Sequence, residues 1–361
     1  MSYYLKFVGF AVVVLALLAF LTQSFTIQLH LEDHKPSCGT ICRCSPRDPP
    51  SCETVFTGYE SSSFEKEWLG KVKQLEHHTD MRVCAEVAKE KRRFMQMYKL
   101  TTKIEEKLLS GRGASNLNLL PSDIFSTLQY RVKCKNLLDP RNGIEISVPI
   151  EPLVGVLRDA RGVCSELEPR DIGSRSMILL APASEFGEDR IRILDIGSSS
   201  WDAGKGSTSQ NWLVKSLAGK NAAGFCLLSF HGFEAEEKYV FSSFASKLPP
   251  ELVPVYTNFL VKASPEKGNA LNPWSIVRSL KDGIFAVKLD IDTPAVEMPL
   301  VDQLLEDKEI QSRVQEFFFE HHTKIAEMVP SWGNKTQGLL SDTYDMFLRL
   351  RKAGVRAHAW P

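Results

Sequence analysis

From residue 190 onward, short apolar runs alternate with stretches of helical spacing. Residues 191–196, 224–233, 255–262, 284–291 and 314–320 read as strands, and residues 211–217, 274–280, 301–307 and 339–352 as helices. That alternation predicts an α/β body with a mostly parallel sheet and helices on both faces. Upstream the texture is different. Residues 64–109 contain no proline, and Phe64, Trp68, Val72 and Leu75, then Met97, Leu100, Ile104 and Leu108, recur at three and four residues. They predict one-sided helices that pack on the body or on another copy. Further upstream, residues 7–21, "FVGFAVVVLALLAFL", carry no charge, and uncharged residues continue to Leu29. The expected organisation is a signal anchor over 1–29, a Cys/Pro-rich stem over 30–63, a helical region over 64–143 and the α/β domain over 144–361.

Composition narrows the function classes. The 361 residues carry 44 basic and 44 acidic side chains, so the formal net charge is zero. No basic block provides the electrostatic footprint of nucleic-acid binding, and none is expected. Only Lys6 precedes the apolar run, and the stretch is close to the ~20 residues that span a bilayer. The expectation is a single-pass type II protein, held in the membrane by its N-terminal helix, whose body faces the lumen of the endoplasmic reticulum or Golgi. The alternative is secretion after cleavage near Thr22-Gln23-Ser24. Eight cysteines, four of them at Cys38, Cys42, Cys44 and Cys52 in "CGTICRCSPRDPPSC", suit disulfides in an oxidising lumen better than paired zinc knuckles. Asn334-Lys335-Thr336 is a glycosylation sequon.

The candidate chemistry lies at the strand ends. The first strand of the body runs into "RIRILDIGSSSWDAGKGS". Ligands of parallel α/β sheets bind outside the carboxyl ends of the strands, and glycines there let backbone approach a ligand closely. The spacing matches neither a dinucleotide G-x-G-x-x-G nor a P-loop. Asp195, two residues before Gly197, suits a ligand with a positive charge or an amine. Glu234 ends the second strand, where a carboxylate can grip a ribose diol. "IFAVKLDID" ends in Asp290 and Asp292, and "VQEFFFEHH" in Glu320, His321 and His322. Such a rim can supply a general base or bind a hard divalent cation. His321 with Asp290 is the expected catalytic pair. Asp290, Asp292 and Glu320 are the expected ligands of a Mg or Mn ion.

"LDIGSSS", "FAVKLDID", "EFFFEHH" and the terminal "LRLRKAGVRAHAWP" resemble FkbM-type S-adenosylmethionine-dependent methyltransferases, specifically a eukaryotic membrane-anchored branch. The resemblance covers residues 144–361. It implies a Rossmann-like methyltransferase fold and O-methylation of a hydroxyl on a small molecule, sugar or glycan. It also implies cofactor contacts from Asp195, Gly197, Ser199, Gly204 and Glu234, with Asp290 on the catalytic rim. The ending "VRAHAWP" leaves the expected sheet one strand short of seven. Two other readings belong to different classes. One is a Golgi glycosyltransferase using Asp290-x-Asp292 with a metal, for which the glycine loop has no use. The other is a non-catalytic binding protein on a methyltransferase-like domain.

The topology is directly testable. In sealed microsomes the body is expected to resist added protease and to carry a glycan on Asn334. Free thiols at Cys38, Cys42, Cys44 and Cys52 in the native protein would contradict a luminal stem.

Overall fold

The computed structural model describes residues 51–75, 82–109, 120–170, 175–179, 190–201, 209–218, 225–239, 245–336 and 338–361. The expected anchor, Cys38, Cys42 and Cys44, and Gly204 lie outside them. Among the described residues no helix is long and apolar enough to cross a membrane.

Six strands form the central sheet: β4 (Arg190–Ile196), β5 (Cys226–Glu234), β6 (Tyr256–Leu260), β7 (Ile284–Leu289), β8 (Val314–Phe319) and β9 (Arg356–Ala359). Their spatial order is β6-β5-β4-β7-β8-β9, and every neighbouring pair is parallel. Counted within the sheet, this is the doubly wound order 3-2-1-4-5-6, which reverses between β4 and β7. The near-continuous apolar runs of β4 and β7 follow from burial on both faces, which parallel sheets require. One face, with Ile191, Ile193, Ala286 and Phe318, packs under α4 (Ser209–Ala218) through Leu213, Val214 and Leu217. The other, with Leu194, Ile196, Val287, Phe317 and Phe319, packs under α5 (Trp274–Ser279), α6 (Pro294–Glu306) and α9 (Leu340–Lys352). Between α6 and α9 lie α7 (Lys308–Arg313) and the single turn α8 (Val329–Trp332).

The five expected strands are all present, and the terminal segment adds the sixth. Helix α6 begins at Pro294, earlier than the apolar spacing indicated. Pro294 suits a first helical turn, where a missing N–H costs nothing, and Pro299 follows inside the helix.

The N-terminal half differs more. The helical stretch divides into α1 (Ser63–Leu75), α2 (Val83–Lys89) and α3 (Lys91–Leu109). A three-stranded antiparallel sheet brackets them, formed by β1 (Cys52–Glu60), β2 (Ser126–Cys134) and β3 (Glu145–Ile150). The strand β1 thus falls within the expected stem, and β2 within the expected helical region. Cys52 pairs with Cys134 and Cys84 with Cys164, closing separations of 82 and 80 residues. Cys226 is also disulfide-bonded, and no described cysteine is free. Each long closure restricts the unfolded chain by roughly 4 kcal/mol in the chain-entropy account.

This layer docks on the body through buried polar contacts as well as apolar area. Trp68 donates from Nε1 to the Tyr344 hydroxyl at 2.9 Å, which donates to the Gly155 carbonyl at 2.7 Å. Phe56 lies under Gly354, where a Cβ would meet its ring at 2.9 Å and φ is +92°. A line of alternating charges runs beside these contacts. Glu65 faces Arg351 at 3.5 Å and Arg351 faces Glu151 at 3.4 Å. His358 contacts Glu151 from Nδ1 and Glu316 from Nε2, both at 2.6 Å, and Arg356 donates to Glu316 at 3.0 Å. Glu65, Arg351, His358, Glu316 and Arg356 are fully buried. Only a doubly protonated imidazole donates from both nitrogens. The two carboxylates accordingly overcome burial and hold the His358 pKa above its ordinary 6.5.

A folded-state pKa above the unfolded value gives stability that is complete below the unfolded pKa and is lost as pH rises through the folded one. The melting temperature should therefore fall on going from mildly acidic to alkaline pH. His358→Gln should remove much of that slope and cost about 3–5 kcal/mol, the usual effect of stranding buried charge. Thermal melts of both proteins across pH check this; parallel profiles would contradict it.

Candidate functional site

The order reversal opens the sheet's carboxyl edge between the ends of β4 and β7. Asp195 on β4 and Lys288 on β7 are register partners. On the other side Asp195 is opposite Gly232 of β5, which projects no side chain. Ser198 and Asn258 fill that space, with Oγ and Oδ1 at 2.5 and 3.2 Å from where a Gly232 Cβ would sit, and Ser209 from α4 donates to Asp195 Oδ2 at 2.6 Å. Lys288 Nζ lies 3.4 Å from Asp195 Oδ1, 3.1 Å from Asp290 Oδ2 and 2.7 Å from the Gly197 carbonyl, to which it donates. One buried ammonium thus bridges two carboxylates and the first residue of the loop. These carboxylates outweigh burial and raise the Lys288 pKa. Burial raises the Asp195 carboxyl, with Lys288 opposing it.

Gly197 is required here for a physical reason. Its φ is +84°, and a Cβ would lie 1.7 Å from the Asp290 carbonyl oxygen. Its N–H and that of Ser198 both donate to the Phe233 carbonyl, at 2.9 and 3.0 Å. Ser199 follows at φ +46°, and its N–H donates to Glu234 Oε2 at 2.7 Å. The second Glu234 oxygen accepts from the Glu236 N–H at 2.8 Å. Glu234 therefore holds the start of the glycine loop in place. Gln210 of α4 donates to the Ser198 and Ser199 carbonyls at 2.9 and 3.1 Å and accepts from the Tyr256 hydroxyl.

The rim continues from β7 to β8. Phe318 lies on the α4 face, whereas Phe317 and Phe319 lie on the other. Strand alternation carries this past the strand end. Glu320 and His322 turn towards Asp290 and Asp292. His321 instead stacks on Phe319 and hydrogen-bonds Thr343 of α9 through Nδ1 at 2.7 Å. Burial, then the neighbouring His322, push His321 down to about 4, so its ring is neutral at physiological pH. The structure does not bring His321 together with Asp290; the imidazole of the rim is His322, which meets Asp292 and Glu320.

His322 Nε2 lies 3.3 Å from Asp292 Oδ1 and 3.4 Å from Glu320 Oε2, with its ring stacked on Trp332. Glu320 Oε1 accepts from Arg158 at 2.5 Å and Trp332 at 3.0 Å. Burial alone would raise both acids, and the charges around them decide the outcome. The His322 hydrogen bond and the Arg158 guanidinium bring Glu320 down to about 2. Burial keeps Asp290 up at about 6, with Lys288 opposing and Glu320 adding to the rise. Glu297 on α6 accepts from the Ile291 N–H at 2.8 Å and so clamps the turn between the two aspartates, where Asp292 has φ +55°. Burial lifts Glu297 to about 7.

Asp292, Glu320 and His322 each offer one donor atom, all within 4.8 Å of one another. Two carboxylates and an imidazole fit a divalent cation such as Mn or Mg, the second less comfortably because it favours oxygen. His322 thus takes the place expected for Asp290, whose carboxylate is turned to Lys288. Lys335, 3.1 Å from Asp292 Oδ2, is the competing cation.

Several residues of the site were not singled out from the sequence. Lys288 had a visible signal, a lone charge within "IFAVKL" two residues before Asp290. Arg158 and Arg175 arrive from loops with no pattern. Arg175 stacks on Trp360 at 4.2 Å, and burial lowers it to about 10. With Met97, Glu151, Met177 and Pro361, both arginines line a small cavity beside the rim.

Comparison of the chain with protein-family models, characterised proteins and solved structures returned no match. The class defined by the geometry alone is an α/β protein with a charged crevice at the switch point of a parallel sheet.

Lys288→Met should strand Asp195 and Asp290 as buried acids without their counter-charge, at a cost of about 3–5 kcal/mol. Denaturant titration measures it. Wild-type stability in the variant would show that the ammonium does not hold the loop.

Proposed function

We propose that the chain is an FkbM-type S-adenosylmethionine-dependent O-methyltransferase acting on a hydroxyl, with a sugar or glycan as the acceptor class. The observation that carries this reading is the set of acid-ended strands at the switch point of a 3-2-1-4-5-6 sheet, with a glycine loop over them. Near that loop Asn258 Oδ1 is buried without a hydrogen-bond partner, and Asp195 Oδ1 has only the ion pair with Lys288 at 3.4 Å. A cofactor bearing an amine and a sulfonium suits these acceptors and the acidic strand ends. Gly197, Ser199 and Glu234 shape the loop that would hold it, with Asp195 beneath.

When bound, S-adenosylmethionine supplies an electrophilic methyl group, whose transfer to a hydroxyl oxygen leaves a neutral thioether and releases one proton. Asp290 is the group placed to take that proton. Its pKa near 6 leaves it ionised at neutral pH and closer to the operating range than an ordinary carboxylate. Lys288 fixes the carboxylate's orientation. A divalent cation held by Asp292, Glu320 and His322 would lower the pKa of a hydroxyl beside it. The small cavity lined by Arg158 and Arg175, reached from the rim through the Arg158–Glu320 pair, would take an acceptor.

The glycosyltransferase reading finds less support. Asp290 turns to Lys288 and Asp292 to His322 and Lys335, so the two aspartates do not share one ion. The disulfides suit an oxidising compartment and support the luminal reading of the body.

Calorimetry on the disulfide-intact protein should show binding of S-adenosylmethionine and none of nucleotide sugars; the reverse would favour the glycosyltransferase. Asp290→Asn should keep cofactor affinity and lower turnover by about 10²-fold or more, the usual contribution of a general base. The wild-type rate should rise with pH through a value near 6 as Asp290 ionises. Equal turnover by Asp290→Asn would remove Asp290 from the chemistry.

A further inference from the structure

The hairpin joining β2 to β3 ends in "KNLLDPRNGI", and its two leucines face outward: Leu137 is 78% exposed and Leu138 is 90% exposed. Adjacent leucines this open are not a folding remnant of a loose loop, because the turn beneath them is fastened on every side. The Cys52–Cys134 disulfide closes its base, and the Lys135 N–H donates to the Ser51 carbonyl at 2.9 Å. Arg141 donates to Asp139 from Nε at 2.9 Å and from Nη2 at 2.7 Å, and reaches Ser51 Oγ at 3.0 Å. Asn136 Oδ1 accepts from the Leu138 N–H, and Asn142 Oδ1 from the Cys134 N–H, both at 3.0 Å. The polar side chains of the turn are spent on its own backbone, and the apolar ones are presented to solvent.

We infer that this hairpin tip is a membrane-contacting wedge, with Leu137 and Leu138 entering the headgroup region of a lipid bilayer. Two further observations select lipid over another occupant. The chain enters the body at Ser51–Cys52, against the base of this same hairpin, and the uncharged stretch ending at Leu29 lies only 22 residues upstream of Cys52 in sequence, counting residues 30–51. A bilayer held by that stretch is within tether reach of the tip. Between Arg131 and Glu145 the hairpin carries four basic side chains; Arg131 and Arg141 pair with Glu145 and Asp139, and the exposed Lys133 and Lys135 make the net positive charge. A pair of lysines beneath an apolar tip fits an interface whose outer layer is phosphate and whose inner layer is hydrocarbon. A rigid tip enters it without the ordering cost a flexible loop would incur.

The test uses the full chain reconstituted in phosphatidylcholine–phosphatidylserine vesicles. A polarity-sensitive dye is attached at Leu138→Cys, with the unsubstituted chain as labelling background and Lys267→Cys, an exposed loop position, as the solvent reference. The Leu138 label should emit further to the blue than the Lys267 label and be quenched by lipids spin-labelled near the glycerol level. Adding Leu137→Asp should reverse both effects. Both substitutions are at exposed positions, and unchanged circular dichroism verifies the fold. A Leu138 label as wet and as unquenched as that at Lys267, or one shielded equally in detergent-dispersed protein by self-association, overturns the proposal. Because the wedge does not depend on cofactor binding, failure here leaves the proposed methyl transfer untouched, and the converse holds.

Discussion

The line of buried charges from Glu65 through Arg351, Glu151, His358 and Glu316 to Arg356 is the constraint on which the rest of the molecule depends. Its members come from α1, α9, the segment after β3, β8 and β9, so no two layers can separate without stranding a charge. The signs alternate, and the line is neutral only with His358 protonated. An apolar seam of the same size would hold as well or better, but would tolerate sliding. Here each carboxylate and guanidinium has a specific opposite, so the antiparallel sheet and its helices have one seat on the parallel sheet. That seat fixes the 151–159 segment, and with it Arg158, against Glu320.

The crevice repeats this logic on a smaller scale with a different outcome. Lys288 neutralises part of the negative charge of Asp195 and Asp290, and Arg158 with His322 neutralises Glu320. The acids then separate in character. Glu320 stays ionised far below neutrality, whereas Asp290 and Glu297 sit near the range in which protons change hands. Neighbouring environments on one rim thus give one fixed charge and two exchangeable proton sites, a separation of the kind acid–base chemistry uses.

The strands β4, β5, β7 and β8 were legible because they are largely buried on both faces and so read as bounded apolar runs. The half-exposed edge strand β6 kept enough apolar positions to be read, and β9, with Arg356 and His358 in four residues, did not. The antiparallel sheet was not legible. In β1 and β3 the chain alternates half-buried and exposed positions weakly, and "CETVFTGYE" follows a proline- and cysteine-rich stretch that has the texture of a linker. The partner of β1, β2, lies across α1–α3, a separation no local pattern reports. Within the site, the rim residues were visible as acids and histidines at strand ends, but their directions were not. Whether His321 or His322 meets the carboxylates depends on which face Phe319 takes, and a run of three phenylalanines buried on both sides leaves that choice open. Asp195 and Glu234 were legible as strand-end acids. That Lys288 and two backbone N–H groups occupy them depends on β4 lying between β5 and β7, which only the topology decides.

The strand Arg356–Ala359 supplies two members of the charge line and covers the β8 edge, yet it leaves the ribosome after every element it secures. During synthesis α1, whose Glu65 is destined for Arg351, and the antiparallel sheet exist for most of the chain's length without their counter-charges. They cannot be committed to their final positions before Arg351, Arg356 and His358 have emerged. The seating of one sheet on the other is therefore a late step of folding, after both layers have been synthesised. Until then the cysteines at 84 and 164 wait in an unfinished interface, on a chain still held together mainly by apolar contacts.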